Sequence, residues 1–206
     1  FFDGGKYKNE AEILFQTEKM LNEGATFIDV GAYSSRPGAA HISEKEELNR
    51  ILPVIDLLVK NFPEIIISVD TFRSEIARKT IENGAAIIND ISGGKMDENM
   101  FQTVADLQVP YILMHMLGTP QNMQQNPVYE DVTKEIIHFF SEQIFKLHQL
   151  RVNDIIIDMG FGFGKRVAHN YEILKNLALF KNLDAPILVG VSRKSMLYKP
   201  LEISAN

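Results

Sequence analysis

Short runs rich in Ile and Val recur along the chain, separated by longer segments whose apolar residues return every three or four positions. The runs at 27–31, 65–71, 86–91, 110–116, 154–160 and 185–191 predict strands. The segments near 9–23, 43–60, 73–83, 97–107, 130–149 and 170–180 predict helices. Six helix–strand units in succession predict an α/β protein built on a parallel sheet. In the second helix, Ser43 and Glu46 make an S-x-x-E capping box. Leu48, Ile51, Leu52, Ile55, Leu58 and Val59 then fall on one apolar stripe. Pro53 lies inside that stripe and is expected to kink the helix or force an irregular turn. Gly24 and Gly84 follow helical segments, where a left-handed residue can end the helix before a buried strand. Strands this apolar need cover on both faces, which leaves a doubly wound sheet or a closed barrel. The spacing of the units does not choose between them. No linker or low-complexity tract divides the 206 residues, so a single domain is expected over 1–206.

Composition narrows the partners. A net charge of -6 argues against nucleic acid and against an anionic membrane surface, because phosphate-gripping proteins show a basic footprint. There are no cysteines, which rules out disulfides and thiolate zinc sites and fits a reducing compartment. No apolar run approaches the roughly 20 residues that span a bilayer. The expected setting is cytoplasmic.

The polar residues gather where the strands end: Asp29, Asp70, Asn89-Asp90, His115, Asp158 and Ser192-Arg193-Lys194. Ligands bind at that end in both α/β barrels and open α/β sheets. A carboxylate closing an apolar strand costs desolvation energy unless it is paired or used. Any one such Asp is, by itself, more often a helix cap or turn former; a run of polar strand ends in succession reads as one shared site. Ser34-Ser35-Arg36-Pro37-Gly38 reads either as an anion grip through Arg36 or as an ordinary Pro-Gly turn. Asp158-Met159-Gly160-Phe161-Gly162-Phe163-Gly164-Lys165 fits neither the phosphate-loop nor the dinucleotide spacing. It reads as a ligand loop or as a tight strand-to-helix turn with two aromatic plugs. His115 alone is more often a hydrogen-bonded core residue than a base, and no H-x-H or H-E-x-x-H spacing suggests zinc.

Taken in order, these pieces resemble the dihydropteroate synthase family. The resemblance rests on Phe2-Asp3-Gly4-Gly5, Ser34-Ser35-Arg36-Pro37-Gly38-Ala39, Ser68-Val69-Asp70-Thr71 and Ile88-Asn89-Asp90-Ile91-Ser92-Gly93. It continues through Leu113-Met114-His115-Met116-x-Gly118-Thr119-Pro120, the Asp158–Lys165 stretch, and Gly190-Val191-Ser192-Arg193-Lys194-Ser195. It implies a TIM (β/α)8-type barrel of which about six strands are present, truncated at both ends. A first strand with a magnesium-binding Asn would precede Phe1, and a last helix–strand unit would follow. Tyr33, Ser35 and Met159 stand where the family usually has Glu, Thr and Pro.

The resemblance also implies the chemistry. The substrates would be a dihydropterin carrying a hydroxymethyl diphosphate and para-aminobenzoate, with Mg2+ as cofactor and a homodimeric parent. Asp158 would accept the pterin's guanidine-like edge, with Asp70, Asn89, Met114, Gly190 and Lys194 completing the pterin site. Ser35, Arg36, Pro37, Phe163 and Ser195 would frame para-aminobenzoate. Lys194, Asp70 and Arg36 are the expected catalytic residues, and no metal ligand is expected in the chain itself. Two rival readings are a corrinoid methyltransferase's pterin-binding domain and a non-catalytic pterin binder. The first is not expected to carry both Ser192-Arg193-Lys194 and Ser35-Arg36-Pro37.

Overall fold

The structure is a computed structural model and describes residues 9–36, 40–123 and 126–204. Pro37 and the Phe2-Asp3-Gly4-Gly5 motif lie outside them. Strands and helices alternate as α1 Glu10–Asn22, β1 Ile28–Gly31, α2 Glu44–Asn61, β2 Ile67–Asp70, α3 Ser74–Glu82, β3 Ile87–Asp90 and α4 Met100–Leu107. They continue as β4 Tyr111–Met114, α5 Val132–Gln149, β5 Ile155–Asp158, α6 Val167–Lys175, a 3-10 segment Leu177–Leu183, β6 Ile187–Leu188 and α7 Ser195–Tyr198. The strands are parallel and lie in chain order, β1-β2-β3-β4-β5-β6. Among the described residues β1 and β6 do not pair, so the sheet is open at the seam expected between residues 31 and 191.

The sheet curls. Asn89 on β3 reaches over β2 to Asp29 on β1, with its Nδ2 3.3 Å from each carboxylate oxygen. The Asp29 charge also acts on Asp158 of β5, although four strand spacings would set these residues roughly 19 Å apart in a flat sheet. The fold is therefore an incomplete TIM-type barrel, with the two-residue alternation of each strand dividing its inside from its outside. Ile67, Val69, Ile88, Tyr111, Leu113 and Ile157 face the helices and are buried. The other set faces the concave side: Asp29 beside Ser68, then Gly31, Asp70 and Asn89 in one row, and Met114, Asp158 and Leu188 in another. That side is polar and partly open where the two-sided burial rule expects cover.

Several local expectations need correcting. The α2 helix is continuous through Pro53, with no irregular turn there, and Pro53 lies on its exposed face, where water can satisfy the carbonyl that a proline leaves unpaired. Ser43 Oγ accepts from Glu46 N at 3.2 Å, but the Glu46 carboxylate turns to Arg50 at 2.8 Å instead of completing the box. Helix α4 begins three residues late because Asp97 is used elsewhere: its carboxylate accepts from Ser74 N, at the start of α3, and from Asn99 N. Helix α6 begins three residues early, at Val167, where the His169 and Asn170 side chains take up Arg166 N and Arg166 O. Strand β6 is cut to two residues, as befits an edge paired only with β5.

Candidate active site

The strand ends bring Asp29, Asp70, Asn89, Asp158 and Lys194 to one end of the sheet. Asn89 is oriented by Asp29. A carboxylate oxygen accepts, so the contact fixes the Asn89 amide with Nδ2 on Asp29 and leaves Oδ1 out of this bond. Burial, and then the neighbouring Asp29 charge, push the Asp70 carboxyl up from 3.8 to about 8. Burial likewise raises Asp29. Two carboxylates sharing one face cannot both ionise cheaply, so this corner invites positive charge.

Across the curl, Asp158 ends β5. Its Oδ1 accepts from Gly160 N at 2.8 Å, which ties one oxygen into its own turn. Burial raises its pKa, while the Gly160 N–H, Lys194 and Lys165 pull the other way. Lys194 caps α7, donates to the Phe161 carbonyl and lies 4.8 Å from the centre of the Phe163 ring. Burial lowers its pKa and Asp158 partly restores it. Asp158 and Lys194 are thus an opposite-charge pair at the mouth, facing the acidic corner.

The Gly-rich stretch is a tight strand-to-helix turn with two aromatic plugs, set at the same end of the sheet as Asp158 and Lys194. Phe161 is fully buried in the main core, while Phe163 packs at the rim with Met114, Met116, Tyr33 and Phe72. Met114 and Phe163, expected on different substrates, therefore share one apolar cluster. The backbone takes φ +64° at Gly160, where an added Cβ would lie 2.1 Å from the His115 carbonyl. Lys165 holds this loop shut. Its Nζ donates to the carbonyls of His115 at 3.0 Å, Gly160 at 3.1 Å and Phe163 at 3.0 Å. Burial lowers the Lys165 pKa to about 7, against the pull of Asp158.

Beside Lys194 lies a cavity of about 200 Å³ lined by Gly162, Lys165, Arg166, Val167, Asn170, Lys194, Ser195 and Met196. Ser195 opens α7 and is exposed. Ser35 is buried and Arg36 half-buried, four and five residues beyond β1 at the same end of the sheet. Gly190 leaves open space on its Cβ side. Among the described residues no three His, Asp or Glu gather where they could hold a metal ion, and no helix is long and apolar enough to cross a membrane.

A family model described as pterin binding enzyme matches residues 1–206. The chain belongs to this family. It is 42% identical to the dihydropteroate synthase of Escherichia coli (strain K12) over 205 residues, covering 98% of the chain and 72% of that protein. It is also 42% identical to the dihydropteroate synthase of Haemophilus influenzae, over 96% of the chain and 72% of that protein. Among solved structures, the Yersinia pestis dihydropteroate synthase with a sulfonamide drug complex superposes with TM-score 0.92 at 40% identity, over 98% of this chain and 74% of that one. The Xanthomonas albilineans dihydropteroate synthase in complex with 7,8-dihydropteroate gives 0.81 at 34%, over 98% and 71%.

Against this family background, two residues stand out to which sequence reasoning gave no particular role. Asp29 was visible as a polar strand end, but its bond to Asn89 needs the curl of the sheet. Lys165 was visible only as the last letter of a Gly-rich motif. Its three acceptors come from two different loops. His115 is a core residue, 5% exposed and 5.0 Å from the Phe139 ring, and burial lowers its pKa, but the expected hydrogen bond is missing at its buried Nδ1, which has no partner among the described residues.

Proposed function

We propose that the chain carries the dihydropteroate synthase reaction: 6-hydroxymethyl-7,8-dihydropterin diphosphate and para-aminobenzoate give 7,8-dihydropteroate and diphosphate. The observation that carries this reading is the divided mouth, with Asp29, Asp70 and Asn89 on one side and Asp158 and Lys194 on the other.

A dihydropterin presents an amino group and a ring N–H side by side. Asp158 accepts both in a charge-assisted pair, and Lys194 donates to the acceptor atoms of the same ring system. Asn89 offers its Oδ1. Met114 and Gly190 leave an apolar, uncrowded wall for a flat ring. The C–O bond at the exocyclic carbon then breaks, its electron pair leaving with diphosphate, and the ring spreads the positive charge. The acidic corner of Asp29 and Asp70 stabilises that charge from a fixed position, and the nearby positive charge in turn favours the ionised form of the raised Asp70 carboxyl. The arylamine nitrogen attacks the carbon and afterwards releases a proton. Its low basicity makes a strong general base unnecessary.

The basic cavity beside Lys194 suits the carboxylate of para-aminobenzoate. Ser195 and Arg166 line it, and Phe163 supplies a ring face beside Lys194; Ser35 and Arg36, at the same end of the sheet, match the family positions for this substrate. Mg2+ belongs to the proposal as a companion of the diphosphate, whose departing charge it would neutralise. The described residues form no cage for it, so no step here runs through the ion. A homodimeric parent and a cytoplasmic setting complete the proposal; sedimentation of the full-length protein tests the first.

Diphosphate release, followed with and without para-aminobenzoate, tests the function. Release that rises with para-aminobenzoate and matches dihydropteroate formed supports it. Tight pterin binding without release in either case would make the chain a pterin-presenting module instead.

A further inference from the structure

A second chain of hydrogen bonds crosses the rim and contains none of the residues given a role above. Glu47, fully buried on α2, accepts from Thr71 Oγ1 at 2.8 Å and from Arg73 Nη1 at 2.5 Å. Arg73 Nη2 donates to the Ile42 carbonyl at 2.7 Å and lies 3.5 Å from His41 Nε2. A guanidinium never accepts, so His41 Nε2 is the acceptor and the ring proton sits on Nδ1. That N–H then donates to the Tyr33 oxygen at 3.2 Å, and Gln121 Nε2 donates to the same oxygen at 2.9 Å. The Tyr33 ring is pinned as well. It stands edge-on to Phe72 with centroids 4.9 Å apart, and the Arg73 guanidinium lies 5.4 Å from its centre.

Tyr33 is thus fixed from the loops after β1, β2 and β4, and it lies two residues before the buried Ser35 and three before Arg36. We propose that Tyr33, braced by His41 and Gln121, is a positioning residue that sets the approach of para-aminobenzoate through Ser35 and Arg36. This rests on the function proposed above, since only that reading gives Ser35 and Arg36 the arylamine substrate. The polar pterin-facing residues Asp70, Asn89, Asp158 and Lys194 lie on β2, β3, β5 and the start of α7, outside this hydrogen-bond chain; Met114 of β4 shares the Tyr33 cluster, but through its apolar ring contacts, which Tyr33→Phe keeps. The consequence is selective: loosening the brace weakens one substrate and spares the other.

The test is Tyr33→Phe in the full-length protein, which removes the hydroxyl and keeps the ring. Losing two neutral hydrogen bonds at a partly buried site predicts a five- to twentyfold rise in both the KM and the Kd for para-aminobenzoate. The KM for the pterin diphosphate and the melting temperature should stay near wild type. His41→Ala should act in the same direction, and the double variant should be no worse than the weaker single, because the bonds form one chain. Unchanged para-aminobenzoate constants in Tyr33→Phe, or an equal rise in both substrates' KM, would overturn the proposal. Absence of turnover in the wild type would count against the parent reading instead, and the para-aminobenzoate Kd of the two proteins would still decide the brace.

Discussion

Asp70→Asn should make the protein more stable and less active, with the gain in stability growing as pH rises. Burial and the Asp29 charge hold the Asp70 carboxyl at about 8, where 3.8 is ordinary. With the folded pKa raised, the native state keeps a proton that the unfolded chain gives up between about pH 4 and 8. Native protein then binds more protons than unfolded protein, so stability falls through that window as pH rises. A shift of about four units at 1.36 kcal/mol each is on the order of 6 kcal/mol. Asp70 is only half-buried, and screening by water reduces this to roughly 2–4 kcal/mol. Asn does not titrate, so the variant keeps at pH 8 what the wild type has lost. The expected advantage is about 2–4 kcal/mol at pH 8 and below about 1 kcal/mol at pH 5, or roughly 5–10 °C in melting temperature at the higher pH. Urea unfolding of both proteins at pH 5, 7 and 8 measures this, alongside kcat/KM. A stability difference that does not change with pH would mean that Asp70 titrates near 4 and that the acidic corner is not strained. A variant less stable at pH 8 would refute the reasoning outright.

Other substitutions test the remaining parts. Lys194→Ala should lower kcat/KM ten- to a hundredfold with little change in melting temperature, since a charge-assisted hydrogen bond is worth roughly 1.5–3 kcal/mol. Lys194→Arg should rescue only part of this, because a planar fork does not replace a compact ammonium; near-normal turnover in Lys194→Ala would leave it a rim lysine. Lys165 has the opposite linkage to Asp70. Its folded pKa is lowered to about 7, so the unfolded state holds the extra proton from there to about 10.5 and stability should rise across that range. Lys165→Met should abolish that rise and reduce pterin affinity by freeing the Gly160–Phe163 turn; an unchanged pH slope would contradict the buried-ammonium reading. Gly160→Ala should lose about 1–2 kcal/mol from the left-handed backbone alone, and more from the collision with the His115 carbonyl. A variant of wild-type stability would show that the turn can relax.

The sequence reading and the structure agree where the physics is local. Alternating strand and helix patterns predicted six parallel strands within a few residues, because each strand is short, branched and bounded by a helix cap or glycine. Gly24 and Gly84 take φ of +100° and +103°, as the helix stops required. The polar strand ends were legible as a set because turn-forming explains any one carboxylate, as at Asp90, which accepts from Ser92 N and Gly94 N, but not a polar group at every strand end. Local signals failed where a side chain served a distant element. Asp97 looks like the start of α4 yet caps α3, and Glu46 looks like half a capping box yet pairs with Arg50. The same cause hid the roles of Asp29 and Lys165. Asp29 acts across β2, a relation that exists only once the sheet curls, and Lys165 acts on carbonyls that only the folded Gly-rich turn presents. Tyr33 was noted only as a departure from the family pattern; its partners His41 and Gln121 lie 8 and 88 residues away, and no spacing rule connects them.

The most direct measurement is the dissociation constant of the pterin diphosphate for wild type and Asp158→Asn, taken by calorimetry in the absence of para-aminobenzoate. Asp158 keeps one oxygen on Gly160 N and has the other to offer the guanidine-like edge. An amide can mimic the first bond but cannot accept two N–H groups as a carboxylate does. The expected result is a loss of ten- to about a hundred-and-fiftyfold in affinity, the equivalent of roughly 1.5–3 kcal/mol, with the folded structure intact by melting temperature. Equal affinity in the two proteins would mean that the pterin is not held at the end of β5, and the site as described would be wrong.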